Sequence, residues 1–594
     1  MNEDAFEVPE RNEYRYLVQE EEEDEVQYVR HRHYINPLLV LSRRCIFLIC
    51  LGVLALLSLA AYLGYIAQTL PPGLAVVTTR CGEFRGRHKN GAYSFKGMRY
   101  AAPPIGNLRW APPAEPLCRN VATDAGRLRS ACPQVRLPLS SGKMIDQEDC
   151  LFINVWTPTL QPNAKLPVMV WIHGGFLDTL SGGETGYSPT EKLAADTGVV
   201  YVSFNYRLNV FGFLALEMLR EGSPKNTSGN YGFMDQIEAL KWVQMNIHVF
   251  GGDPGKVTIF GGGTSVWTLM TSPLAKGLFW AAVDMSGSYV YNTTLEQAES
   301  DNRNLEFLKK TGCRDLACLR RLTVRQILQA IPWQQYPSWA AAEVSDLPVK
   351  GRFIGPMAVV DGYVLEAPPL EVWEKKGGHS DVPFVIGTME QEVDFSPPAE
   401  NISMWNWEDY RWFVNEKLKS FSGNLSSAAL DLYPSSAHCP TKDRCPERAY
   451  TTMVSDIRVT CPNNELALRA AAALNSPVYR YVVTYTPSRP VNTSSSLLPF
   501  ASRFAFHRLD AMSFFGALES VLGKPPSDTD VKFQDLIRRH LVSFATTGKM
   551  ADEWPKYPAA TALLSNNLSI AESYSAEKCR LWKENGLFAY AWTN

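Results

Sequence analysis

The sequence predicts an α/β protein: a large mixed, mainly parallel sheet flanked by helices, preceded by a single transmembrane helix. Three observations carry that prediction. Continuous apolar runs such as "LPVMVWIHGG" (166–175) and "VVYVSFNYRL" (199–208) are bounded by Gly, Asn or Pro, as strands buried on both faces of a parallel sheet are. Between such runs lie stretches with apolar positions at helical spacing, for example "GFMDQIEALKWVQMNI" (232–247), with "VTIF" following; strands alternating with such helices mean a covered parallel sheet. Lastly, "CIFLICLGVLALLSLAAYLGYIA", Cys45 to Ala67, holds no charge and no proline, and about 20 such residues cross a bilayer.

Residues 1–44 are polar, carry the acidic run "EEEEDE" (20–25) and show no apolar period, so they read as a disordered cytoplasmic tail. Its "YRYL" has the form of a tyrosine-based sorting signal. The apolar run behind it is too long and too far from the start for the core of a cleaved signal peptide. Arg30, Arg32, Arg43 and Arg44 precede the run, while "QTLPPGLAVVTT" after it has neither Lys nor Arg. The positive-inside rule then puts the N-terminus in the cytoplasm and the rest outside, a single-pass type II protein of the plasma membrane. A buried helix of a soluble core is the alternative. Residues 68–76 read as a linker, and 77–594, uninterrupted by low-complexity sequence, as one extracellular domain.

Cysteines and sequons agree with that orientation. Of twelve cysteines only Cys45 and Cys50 lie in or beside the span, where acylation is open to them; the others all follow it, as disulfides in an oxidising compartment require. N-x-S/T sequons begin at Asn226, Asn292, Asn401, Asn424, Asn492 and Asn567, again all beyond it. A formal net charge of −3 and the lack of a basic patch interleaved with aromatics speak against nucleic-acid binding. No solenoid-type repeat is present, and no cofactor or metal is expected.

Within the outer domain, "YSFKGMRYAAPPIGNLRWAPP", "EDCLFINVWTP", "WIHGG", "FNYRLNVFGFL", "GNYGFMDQIEALKWVQMNI" and "FGGDPGKVTIFG" follow one another. In content and order these strings resemble the type B carboxylesterase/cholinesterase family. The resemblance implies the α/β-hydrolase fold, with a serine on a strand–turn–helix elbow, then an acid, then a histidine along the chain. The elbow, G-E-S-A-G in the family, here reads Gly261, Gly262, Gly263, Thr264, Ser265. The acid aligns with Glu392 in "GTMEQEVDF" and the base with His507 in "FHRLDAMSFFG".

In such a triad the serine oxygen attacks an acyl carbon, the histidine takes its proton and the carboxylate orients the histidine. Gly263 supplies no oxygen. Ser265 lies two residues further on, where consecutive helical positions point about 100° apart, and placing Thr264 at the elbow would insert a residue into a tight turn. The oxyanion string is altered too: His173, Gly174, Gly175, Phe176, with a phenyl ring where the family has glycine or alanine, or with one residue deleted. Glycine is also expected to relieve the positive-φ strain of an elbow residue, on the order of 1–3 kcal/mol.

The resemblance further implies bridges Cys132–Cys150, Cys313–Cys318 and Cys461–Cys579. Cys439 and Cys445 are expected to pair locally, which leaves Cys81 with Cys118. Catalytically inactive members of the family act in cell adhesion or as receptors, and the same is expected here, with an extracellular or cell-surface protein as heterophilic partner. The opposing readings are a membrane-tethered carboxylesterase using Ser265, and a small-molecule-binding pseudo-esterase. "AEKCRLWKENGLFAYAW" (576–592) reads either as a homodimer helix or as a segment packed on its own domain.

Overall fold

The computed structural model describes residues 48–59, 73–118, 121–135, 143–287, 292–303, 306–331, 345–351, 358–375, 380–395, 399, 401–492 and 501–592. Two compact units separate at Leu74. In the first, the described residues 48–59 form helix and are solvent-exposed throughout; the rest of the apolar run 45–67 and the acidic tail lie outside the described residues. Among the described residues no helix is long and apolar enough to cross a membrane.

The second unit is built on a 13-stranded sheet. Its strands are β1 (Leu74–Thr79), β2 (Gly82–Lys89), β3 (Ala92–Arg99), β4 (Phe152–Thr157), β5 (Leu166–Ile172), β6 (Val200–Phe204), β7 (Gly252–Gly262), β8 (Ala281–Met285), β9 (Phe384–Met389), β10 (Val478–Val483), β11 (Thr561–Leu564) and β12 (Leu568–Ala571). They lie in the order β1-β2-β3-β4-β6-β5-β7-β8-β9-β10-β11-β12, with Thr123–Asp124 paired to β2. From β6 to β11 every neighbouring pair is parallel; β2-β3-β4-β6 and β11-β12 are antiparallel. The sheet is therefore mixed and mainly parallel. β1 starts at Leu74, inside the segment read as linker.

The helices that matter for the site are α1 (Tyr231–Asn246), α2 (Gly263–Thr271), α3 (Cys445–Ser455), α4 (Cys461–Ala473), α5 (Asp528–Thr547) and α6 (Ala576–Glu584). Alternation along a strand sends side chains to opposite faces, and β5 shows it. Val168, Val170 and Ile172 join a core that includes Ile237 and Leu240 of α1, Val266 of α2 and Leu466 of α4. Met169 and Trp171 join another, with Phe533, Ile537, Leu541 and Phe544 of α5. Both faces are covered, which explains the unbroken apolar runs. A third cluster, including Tyr450, Ile457, Trp582 and Trp592, gathers α3, α6 and the C-terminal segment.

The structure joins Cys81–Cys118, Cys132–Cys150, Cys313–Cys318, Cys439–Cys445 and Cys461–Cys579. Asn226, Asn292, Asn401, Asn424 and Asn567 are exposed, and Asn492 ends a two-residue strand. Cys50 is an exposed free thiol; Cys45 lies outside the described residues. The segment 576–592 spends Trp582, Leu587, Phe588, Tyr590 and Trp592 on the core of its own domain.

Candidate active site

β7 runs straight into α2, so the three consecutive glycines make a strand–helix junction at the C-terminal edge of the parallel sheet, where α/β proteins place their sites. The strained position is not Gly263. Gly261 takes φ 132°, and a Cβ there would collide with the carbonyl of Ile172 on β5. Gly263 opens α2 outside the left-handed region, so the relief of elbow strain expected of it does not arise there. What Gly263 provides is room. A Cβ there would overlap Gly287 Cα and Asp284 Oδ1, and a Cβ on Gly287 would overlap Asp284 Oδ2. The carboxyl of Asp284, from β8 opposite Gly261, is thus wedged between two glycines. Burial pushes it well above the ordinary carboxylate range, against the pull of Arg480 and of the Gly287 amide.

The Ser265 hydroxyl points elsewhere. Thr264 and Ser265 are both buried. Ser265 Oγ accepts from Gln236 Nε2 of α1 at 2.9 Å and hydrogen-bonds to the Tyr206 hydroxyl, which donates to the His173 carbonyl at 2.7 Å. Ser265 belongs to the packing of α1 on α2.

Glu392 and His507, 115 residues apart, do meet: His507 Nδ1 lies 2.7 Å from Glu392 Oε2. Glu392 follows the end of β9, and its Oε1 accepts from the Met389 amide at 2.8 Å. The His507 amide donates to the Glu392 carbonyl at 3.2 Å. Both side chains are buried. Burial pulls His507 below the ordinary histidine value, and the Glu392 carboxylate works against that. Three rings close on the imidazole: Phe176 at 6.3 Å, Phe395 at 5.7 Å and Trp592 edge-on at 5.3 Å between centroids. Sequence reasoning missed Phe395 and Trp592 at this site. Phe395 ends the acid string, but nothing local to Trp592 announces where the C-terminus folds.

The oxyanion segment turns sharply. Gly175 takes φ 107°, and Phe176, Leu177 and Leu180 take φ 56°, 60° and 75°; such non-glycine residues cost on the order of 1–3 kcal/mol each. The turn is closed by the Asp178 and Thr179 amides donating to the Gly175 carbonyl at 2.9 and 3.1 Å. In this left-handed pose the Phe176 ring is laid roughly parallel to that of His507. His173 is buried against Tyr206, 4.3 Å between stacked rings, and burial lowers it to about 3. Gly174 packs its Cα under Gly262.

Fold and site together define a class: an α/β hydrolase scaffold with a hydrogen-bonded acid–histidine pair and consecutive glycines at its strand–helix junction. Residues 74–582 match the carboxylesterase family, and the chain belongs to that family. It is 32% identical over 523 residues to the para-nitrobenzyl esterase of Bacillus subtilis (strain 168), covering 85% of this chain and 97% of the esterase. It is 28% identical over 498 residues to neurotactin of Drosophila melanogaster, covering 80% of this chain and 56% of neurotactin. Against a solved PNB esterase structure the TM-score is 0.65 at 31% identity, covering 85% of this chain and 99% of the other.

Proposed function

We propose that this chain is a non-catalytic carboxylesterase-family protein that acts in cell adhesion or as a receptor, binding an extracellular or cell-surface protein partner through residues 77–594. In this reading residues 45–67 span the plasma membrane once, with the N-terminus in the cytoplasm. The observation that carries it is the filled elbow: the volume a nucleophile would need at Gly263 holds Gly287 and Asp284. His507 then has a carboxylate to orient it and no hydroxyl at position 263 to deprotonate. Similarity to neurotactin, the bridges Cys81–Cys118 through Cys461–Cys579 and the exposed sequon asparagines support a cross-linked, glycosylated outer body suited to binding. Ser265 is spoken for by Gln236 and Tyr206, which disfavours the esterase alternative.

Two measurements test this. A fluorophosphonate probe applied to the full-length chain in detergent is expected to leave it unlabelled; labelling lost in Ser265→Ala would establish the esterase instead. Cells displaying the full chain are expected to aggregate with a second cell type bearing the partner, and surface biotinylation is expected to reach only residues beyond 67. Failure to find any protein ligand, alongside hydrolysis of p-nitrophenyl esters by the purified chain, would overturn the reading.

A further inference from the structure

Arg508 follows His507 directly and carries two costs at once. Its backbone takes φ 69°, a left-handed pose that strains any residue but glycine. Its side chain is buried, the residue being 7% exposed, and among the described residues the guanidinium makes no ion pair and no hydrogen bond. What it meets is the face of Tyr187, with 5.9 Å from guanidinium carbon to ring centroid. Other buried arginines of this fold are answered: Arg207 by Asp235, Arg109 by Glu148 and Arg444 by Glu447. Asp510, two residues beyond Arg508, is taken by the Tyr481 hydroxyl and the Ala511 amide. Burial pulls Arg508 below the ordinary arginine value, against Tyr187, Tyr206, Asp510 and Glu184. Its charge adds to burial in holding His173 and His507 low, so it lies within electrostatic reach of both the oxyanion turn and the acid–histidine pair. Unlike the Asp284 oxygens, its nitrogens are not fully enclosed, and neither is the Tyr187 hydroxyl, which has no partner among the described residues.

Strained residues and unanswered buried charges gather where proteins clamp ligands. We propose that Arg508 anchors an anion-binding site beside the Glu392–His507 pair, with the Tyr187 hydroxyl as second donor, and that its ligand is the carboxylate of a small monobasic organic acid. A planar guanidinium presents parallel N–H donors that a carboxylate meets with both oxygens. The bound carboxylate supplies the hydrogen bonds that burial denies the guanidinium. Phosphate and sulfate fit less well, because one cation answers one charge while Glu184 and the Glu392 carboxylate in the surroundings repel a second. None of this depends on the adhesion reading.

Calorimetric titration of the full-length chain with sodium acetate, in detergent at fixed ionic strength, tests the site. Acetate is expected to bind and to raise the melting temperature, as ligands of a folded state do. Arg508→Gln keeps a polar group without the charge. It is expected to weaken acetate binding about tenfold or more, and Tyr187→Phe to weaken it less. Without acetate Arg508→Gln should melt no lower than the unaltered chain, since it removes an unpaired buried charge. Acetate that binds the Gln variant as tightly as the unaltered chain, or that binds neither, overturns the proposal. Phosphate that binds more tightly than acetate overturns the assignment to a carboxylate. Should Arg508→Gln fail to fold, Arg508→Lys decides, because it keeps the charge and loses the paired donors. Weaker acetate binding by the Lys variant supports the site; unchanged binding refutes it.

Discussion

Gly263, Gly287 and Asp284 are coupled because they share one volume. Adding a side chain at 263 is an overpacking change, which costs about 1–3 kcal/mol even where neighbours can shift, and here the neighbours include backbone. Gly263→Ser is therefore expected to lower the unfolding free energy measured in urea by about 1–3 kcal/mol and to show no hydrolysis of p-nitrophenyl acetate. Asp284→Ala in the same chain removes the wedged carboxyl, so the double variant should recover part of the loss; independent, additive effects would refute the shared-volume account. Restored ester turnover in Gly263→Ser alone would mean that the elbow can reopen.

At the scale of elements, the segment carrying Tyr206 is fixed to α1 by a buried ion pair. Arg207 donates through Nε and Nη2 to both oxygens of Asp235, each at 2.7 Å, and through Nη1 to the Ala111 carbonyl at 2.8 Å. Both partners are out of solvent. A buried pair adds little net stability over a well-packed apolar one, yet removing a single partner strands a charge and costs about 3–5 kcal/mol. Arg207→Ala should cost that much by chemical denaturation, and Arg207→Ala with Asp235→Ala markedly less than twice it. Through Tyr206 the damage should reach the His173 carbonyl and Ser265, so the oxyanion turn is expected to show faster hydrogen exchange than β5 behind it.

For the whole molecule, the site sits where three apolar clusters converge, and the charges trapped there set a pH response. Burial raises Asp510 to about 7 while Tyr481 donates to it at 2.6 Å. A carboxyl raised in the folded state stabilises fully below the unfolded value near 3.9 and loses that contribution as pH climbs through the folded value. Asp510→Asn, which cannot ionise, should thus gain melting temperature relative to the unaltered chain as pH rises from about 4 to about 7, then run parallel to it. His173 works in the opposite sense. Held at about 3, it favours the fold above the unfolded value near 6.5 and loses that as pH falls toward 3. A melting-temperature difference between Asp510→Asn and the unaltered chain that ignores pH would contradict the burial of that carboxyl.

Much of this was legible before folding. Apolar run length and helical spacing marked β5, β6 and α1, because strands buried on both faces and a helix packed into the core leave local signatures. The strings around Gly263, Glu392 and His507 singled out a glycine that stands at the strand–helix junction and an acid and a histidine that fold into contact, since each depends on residue type at one position. Folding alone decided what surrounds them. The contact of Asp284 with Gly263, the turn of Ser265 toward Gln236 and the arrival of Trp592 at His507 join residues far apart in the chain through sheet register and loop packing. No local pattern encodes such meetings, because the free energy that selects them comes from filling one shared interior without gaps.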